Sequence, residues 1–197
     1  MPSVRQLSMT QDVDFSLKVT PQAYFCAAFM LIVIPLPWIV AWFLAALIHE
    51  FYHCIVTVLL GKRIYSLEIG LNGAQIYTEP LTEAETLLCA LAGPFGGILL
   101  ISLSTFIPRI AVCALFQSAF NLLPVYPLDG GRALLSITRY FLKEETAAKV
   151  CGDIRLGALI IIVAFAAVVS FHNKGALPLL LATALAVRMM KIKIPCK

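Results

Sequence analysis

His49-Glu50-Phe51-Tyr52-His53 sits in a stretch that is otherwise uncharged from Tyr24 to Leu60. That setting decides the fold, because it puts a zinc-hydrolase pattern inside a membrane span. On a helix, residues four apart lie one turn apart on the same face. Two imidazoles can therefore reach one Zn²⁺ while the intervening Glu50 addresses the water to be activated. With only 3 His in 197 residues, the expected number of chance matches to such a pattern is roughly 0.002.

The chain is 60% hydrophobic and 13% charged, with a mean hydropathy of +0.91, whereas about a quarter of residues are charged in soluble domains. An integral, multi-pass membrane protein follows. Four apolar stretches are long enough to matter: Tyr24 to Leu60, Leu87 to Ile107, Ile110 to Leu128, and Leu156 to Val187 interrupted by His172-Asn173-Lys174. A span needs about 20 apolar residues. The first stretch exceeds one helix, and Pro35-Leu36-Pro37 offers a turn in its middle, which predicts a tight helical hairpin. The last divides into two short apolar segments that must recruit flanking residues, with Lys174 and Arg188 reaching to the interface. The expected architecture is all-α and polytopic, with about six transmembrane helices.

Charge sets the orientation, since cytoplasmic flanks collect Lys and Arg. With the N-terminus inside, all of the 15 basic residues except Arg109 and Lys174 fall on the cytoplasmic side. Both termini are then cytoplasmic, and His49, Glu50 and His53 lie in the cytoplasmic half of the second helix. This distribution accounts for the net charge of +4 without a nucleic-acid partner. Met1 to Thr20 mixes Arg5, Asp12, Asp14 and Lys18 with no hydrophobic run, so no cleavable signal is expected there. The 6 cysteines form no CxxC pair and read as small apolar residues. Cys54 projects about 100° away from His53 and is discounted as a ligand.

Between Gly61 and Thr86, Tyr65-Ser66-Leu67-Glu68-Ile69 and Ala74-Gln75-Ile76-Tyr77 flank Leu71-Asn72-Gly73. Asn-Gly is a two-residue turn signal, so a short membrane-associated β-hairpin is expected. Residues 1–197 read as one membrane domain without a soluble appendage. The third apolar stretch contains Ala92-Gly93-Pro94-Phe95-Gly96-Gly97, whose small residues four apart suit close helix packing. Pro94 is expected to bend that helix or loosen its hydrogen bonding.

A catalytic zinc normally holds three protein ligands and a water, so His49 and His53 need a third. Asp129 is the best candidate. It closes Asn121-Leu122-Leu123-Pro124-Val125-Tyr126-Pro127-Leu128-Asp129-Gly130-Gly131-Arg132, where two prolines and two glycines argue against a regular helix. Irregular backbone at membrane depth occurs where it is buried in protein or lines a cavity. The derived topology brings Asp129 to the same side as the histidines, and His172 to the opposite side in a loop between the last two helices.

HExxH on one membrane helix, followed by an N-x-x-P-x-x-P-L-D-G-G segment at the end of another, resembles the site-2 protease family of intramembrane zinc metalloproteases. The resemblance covers about residues 20–135. It implies a catalytic core there and hydrolysis of a peptide bond in or beside the bilayer, with Zn²⁺ held by His49, His53 and Asp129. Glu50 would serve as acid and base, and Asn121 would help hold the substrate backbone. Separately, by analogy with strand addition, an exposed edge of the Ile64 to Thr78 hairpin, Asn72 and Gly73 included, would pair with the extended substrate. The absence of a PDZ insertion is most similar to the compact bacterial branch that includes the sporulation protease activating a pro-sigma factor, though no CBS domain is expected here. The resemblance further implies the bacterial cytoplasmic membrane, a membrane or membrane-associated protein substrate, regulated proteolysis of pro-sigma or anti-sigma factors, and membrane-bound inhibitor or regulator proteins. Phe51-Tyr52 departs from the Leu-Gly often found there, which leaves the packing around Tyr52 open.

Three rivals remain at this level. A metal transporter would use the same ligands for transit, but no internal repeat is visible. A catalytically silent membrane scaffold would keep the ligands without hydrolysis. A zinc protease with a Glu as third ligand would need Glu68, Glu79, Glu83, Glu85, Glu144 or Glu145, none of which lies in a comparable local motif.

Overall fold

A computed structural model of the chain describes residues 16–70, 73–172 and 175–195. The order of elements is β1 (Ser16–Val19), α1 (Pro21–Val33), α2 (Leu36–Leu59), β2 (Ile64–Gly70), β3 (Gly73–Thr78), α3 (Glu83–Ser102), α4 (Pro108–Asn121), α5 (Asp129–Phe141), α6 (Glu144–His172) and α7 (Leu177–Lys191). By length and composition, α2, α3 and α6 are long and apolar enough to cross a membrane. The other helices, at 13 to 15 residues, fall short of the roughly 20 needed for a perpendicular span.

The first apolar stretch does divide at Pro35, which is the N-cap of α2. The two helices nevertheless make little contact. α1 is largely exposed along its described side chains, so the closely packed hairpin expected from the sequence is not formed. The expected hairpin strands are present, with Leu67 opposite Ile76 and Gly70 opposite Gly73. Residues 71 and 72, which connect them and include Asn72, lie outside the described residues. A third strand was not anticipated: β1 pairs in parallel with β2, Leu17 opposite Leu67, and the Thr20 amide donates to the Ile69 carbonyl at 2.9 Å. β1 therefore occupies the outer edge of β2, and among the described residues β3 keeps the free edge of the hairpin.

The core is a cluster of α2, α3, α4 and α5 with α3 at its centre. Small residues make this possible. α2 buries Ala41, Ala45, His49, His53 and Thr57, one residue per turn. α3 answers with Cys89, Ala90, Ala92, Gly93, Gly96 and Gly97, so the two backbones can approach closely. Pro94 lies inside α3, which continues as one helix on both sides of it.

One end of the bundle is polar. Thr82 caps α3 in a capping box with Glu85, and Lys62 beyond α2 pairs with Glu85 at 3.3 Å. Arg139 near the end of α5 pairs with Glu83 at 3.7 Å and Glu144 at 3.4 Å, joining the starts of α3 and α6. Arg155 Nη1 donates to the Ile192 carbonyl at 2.8 Å just beyond α7. Glu144 and Glu145, which lie before the last apolar stretch in the sequence, open the first turn of α6. His172 is the last residue of that helix and not a loop residue.

Candidate metal centre

Two helices and one helix start build the site. The period of four along α2 puts His49 and His53 on the buried stripe that meets α3. Asp129 is the first residue of α5, where the positive end of the helix dipole favours a carboxylate. Gly130 and Gly131, read from sequence as helix breakers, are part of α5. Their role is close approach. A Cβ on Gly130 would lie 2.6 Å from the Leu123 carbonyl oxygen, and one on Gly131 would lie 2.7 Å from Tyr126 Cα. The irregular segment 122–128 can lie against the first turn of α5 only because both side chains are missing, and this packing fixes where Asp129 stands.

The donor atoms converge. His49 Nε2 lies 3.0 Å from Asp129 Oδ2 and 3.2 Å from His53 Nε2, and His53 Nε2 lies 3.3 Å from Asp129 Oδ2. All three residues are buried. Such a triangle suits a cation at its centre: tetrahedral zinc with bonds of about 2.0–2.1 Å spaces its ligands roughly 3.3 Å apart. The His53 ring agrees with this. His53 Nδ1 donates to the Cys89 carbonyl at 2.6 Å, which in the neutral ring leaves the lone pair on Nε2, facing the other two donors. Two Nε2 atoms 3.2 Å apart can share at most one proton, whereas one cation satisfies both lone pairs. This group of three can hold a metal ion.

Neighbouring residues shape the site further. Asn121, at the end of α4, places Nδ2 3.2 Å from His49 Nε2. Thr57 Oγ1 donates to the His53 carbonyl at 2.8 Å and lies 3.5 Å from Cys89 Sγ. Glu50 is half-buried and within electrostatic range of His53, His49, Asp129 and Arg132. Gly73 opens β3 and is no part of this cluster. Gly93, read from sequence as a packing residue, proves to be the floor of the site. A Cβ there would lie 2.5 Å from His49 Nε2 and 2.7 Å from its Cε1, and closer still to His53 Nε2. Tyr52 packs on Gly96, where a Cβ would meet its ring at 2.5 Å, and sets its edge against Phe95 with centroids 6.2 Å apart. Gly96 thus makes room for the bulky ring, and the metal-facing residues keep their positions.

The fold has a solved counterpart. The site-2 protease from Methanocaldococcus jannaschii superposes with a TM-score of 0.63 over 95% of this chain and 96% of that one, at 16% identity. The chain has the fold of a site-2 protease. Neither a protein-family model nor a curated relative matches the sequence, so the likeness lies in the architecture. Within this site-2 protease fold, Glu83 to Gly93 and Asp129 to Arg139 each span ten residues, about 15 Å of helix. Glu83 and Arg139 meet at the polar end, while Gly93 and Asp129 both reach the histidine pair. The donor cluster therefore lies about 15 Å in from the charged layer, level with the middle of the 20-residue helix α3.

Proposed function

We propose that this chain is an intramembrane zinc metalloprotease. The observation that carries the reading is the triangle of three buried donors, His49, His53 and Asp129, with sides of 3.0, 3.2 and 3.3 Å, next to a carboxylate that is no part of the triangle. When bound, zinc supplies Lewis acidity toward water and a peptide carbonyl. Glu50 removes a proton from the attacking water and later delivers it to the departing amine nitrogen. Asn121, whose amide lies 3.2 Å from the donor atom of His49, stands beside the place the metal would take and is assigned to holding the substrate backbone there.

A helical substrate hides its amide bonds and must be extended before attack. Strand addition to the sheet does this. β1 already fills one side of β2, so the substrate strand is assigned to the free edge of β3, Gly73–Thr78, and Gly73 with Asn72 belongs to this substrate-binding element. Proline introduced singly at those positions of 74–77 whose amide faces away from β2 should lower cleavage while zinc content stays unchanged. Uniform tolerance of proline would remove β3 from the substrate path.

The orientation follows the charge bias, with both termini and the polar end cytoplasmic. The resemblance favours a place in the bacterial cytoplasmic membrane and regulated proteolysis of the pro-sigma or anti-sigma kind. The test is co-reconstitution in liposomes with single-span membrane proteins. Products that vanish with 1,10-phenanthroline and return with added zinc support the protease. Bound zinc with intact substrates throughout favours the silent scaffold or the transporter.

A further inference from the structure

On the protease reading rests the role of a half-buried cation that has no ion pair or side-chain hydrogen bond among the described residues. Arg132 lies three residues after Asp129 on α5, about 60° from it around the helix axis. Its neighbours on that side, Leu135 and Ser136, are buried, and Arg132 itself is half-buried.

The other arginines packed against this end of the molecule are occupied. Arg139 is held by Glu83 and Glu144, and Arg155 by the carbonyls at the end of α7. Arg132 has no ion pair or side-chain hydrogen bond among the described residues. It is close enough to influence Glu50 electrostatically, yet the two form no ion pair. A half-buried guanidinium without a partner is unfavourable unless an anion or a strong acceptor arrives. The acceptor must fit between a base on α2 and a ligand on α5.

We propose that Arg132 binds the oxygen of the scissile carbonyl and is a catalytic residue. Water attacks the carbonyl carbon and gives up a proton to Glu50, while the π pair of the C=O bond moves onto the oxygen. The guanidinium N–H groups donate to that oxygen as its charge develops. When the pair returns, the C–N bond breaks and the nitrogen takes the proton from Glu50. The products are a carboxylic acid and an amine, and the atoms balance. A planar, permanently charged fork suits this task better than an ammonium group, which is a point charge with stronger hydration.

The test uses the zinc-loaded full chain in detergent and two probes with the same Leu-Phe amide body. One carries an N-phosphoryl group, tetrahedral and anionic like the developing intermediate. The other carries a hydroxamate. Arg132→Gln should weaken the phosphoryl probe about tenfold to a hundredfold, leave hydroxamate affinity and zinc content unchanged, and be partly rescued by Arg132→Lys. Equal affinity of both probes for native and Arg132→Gln chains overturns the assignment. Parallel loss of hydroxamate binding or of zinc overturns it as well, because Arg132 would then support the fold or the metal site. If the native chain binds zinc but neither probe, the protease reading itself falls, and the role of Arg132 with it.

Discussion

A chain carrying Glu50→Gln should bind zinc as the native chain does and lose hydrolysis by a factor of about 10²–10⁴. The substitution keeps the volume and hydrogen-bonding reach of the side chain but removes its ability to take a proton. Glu50 stands between His49 and His53 in sequence and outside the donor triangle in space, so metal affinity does not depend on it. Its position on α2, half-buried within the bundle, gives the amide no reason to disturb packing. This separates the protease from its rivals. A transporter or scaffold built on the same ligands has no use for a proton shuttle and should tolerate the change. Activity within a fewfold of native in Glu50→Gln would remove Glu50 from the chemistry.

The second large effect concerns a methyl group. Gly93→Ala should weaken zinc binding at least about a hundredfold while the helix content of the chain is unchanged. On propensity alone, Gly to Ala inside a helix stabilises by roughly 0.5–1 kcal/mol. Here the new carbon would sit 2.5 Å from His49 Nε2, an approach that real Cβ atoms do not make. His53 cannot rotate away without losing its bond to the Cys89 carbonyl. The rings must move, and the donor triangle opens. Gly157→Ala in α6 is the control, since nothing lies within 4 Å of a Cβ there, and it should leave zinc binding and stability near native. Native zinc affinity in Gly93→Ala would mean that the floor of the site is looser than its geometry requires.

The donor set was legible in the sequence for a physical reason. Ionisable groups are so unfavourable in an apolar span that His49, Glu50, His53 and Asp129 stand out against their surroundings. The hairpin was legible from alternation and its turn. β1 was not: it is four residues with an exposed Lys18, and its pairing partner Ser66–Ile69 lies some fifty positions away, beyond any local pattern. α5 was hidden by Gly130 and Gly131. Both were read as breakers, although they serve the contact with 122–126 that positions Asp129. Gly93 was hidden because a glycine four residues from another fits helix packing equally well. Gly97, which meets Ser118 of α4, answers that description alone, whereas Gly93 also leaves the room that the two imidazoles occupy. The start of α6 was missed because its charged residues interrupt the apolar run, whereas helix periodicity continues through them to Glu144.

The central claim is one metal site shared by α2 and α5. Its most direct test is zinc content per chain in detergent-purified protein, comparing the native sequence with His49→Ala and Asp129→Ala. About one zinc per native chain, lost or sharply weakened in both variants, is the expected result for three protein ligands from two helices. Zinc absent from the native chain, or retained undiminished by Asp129→Ala, would contradict the site and the function proposed from it.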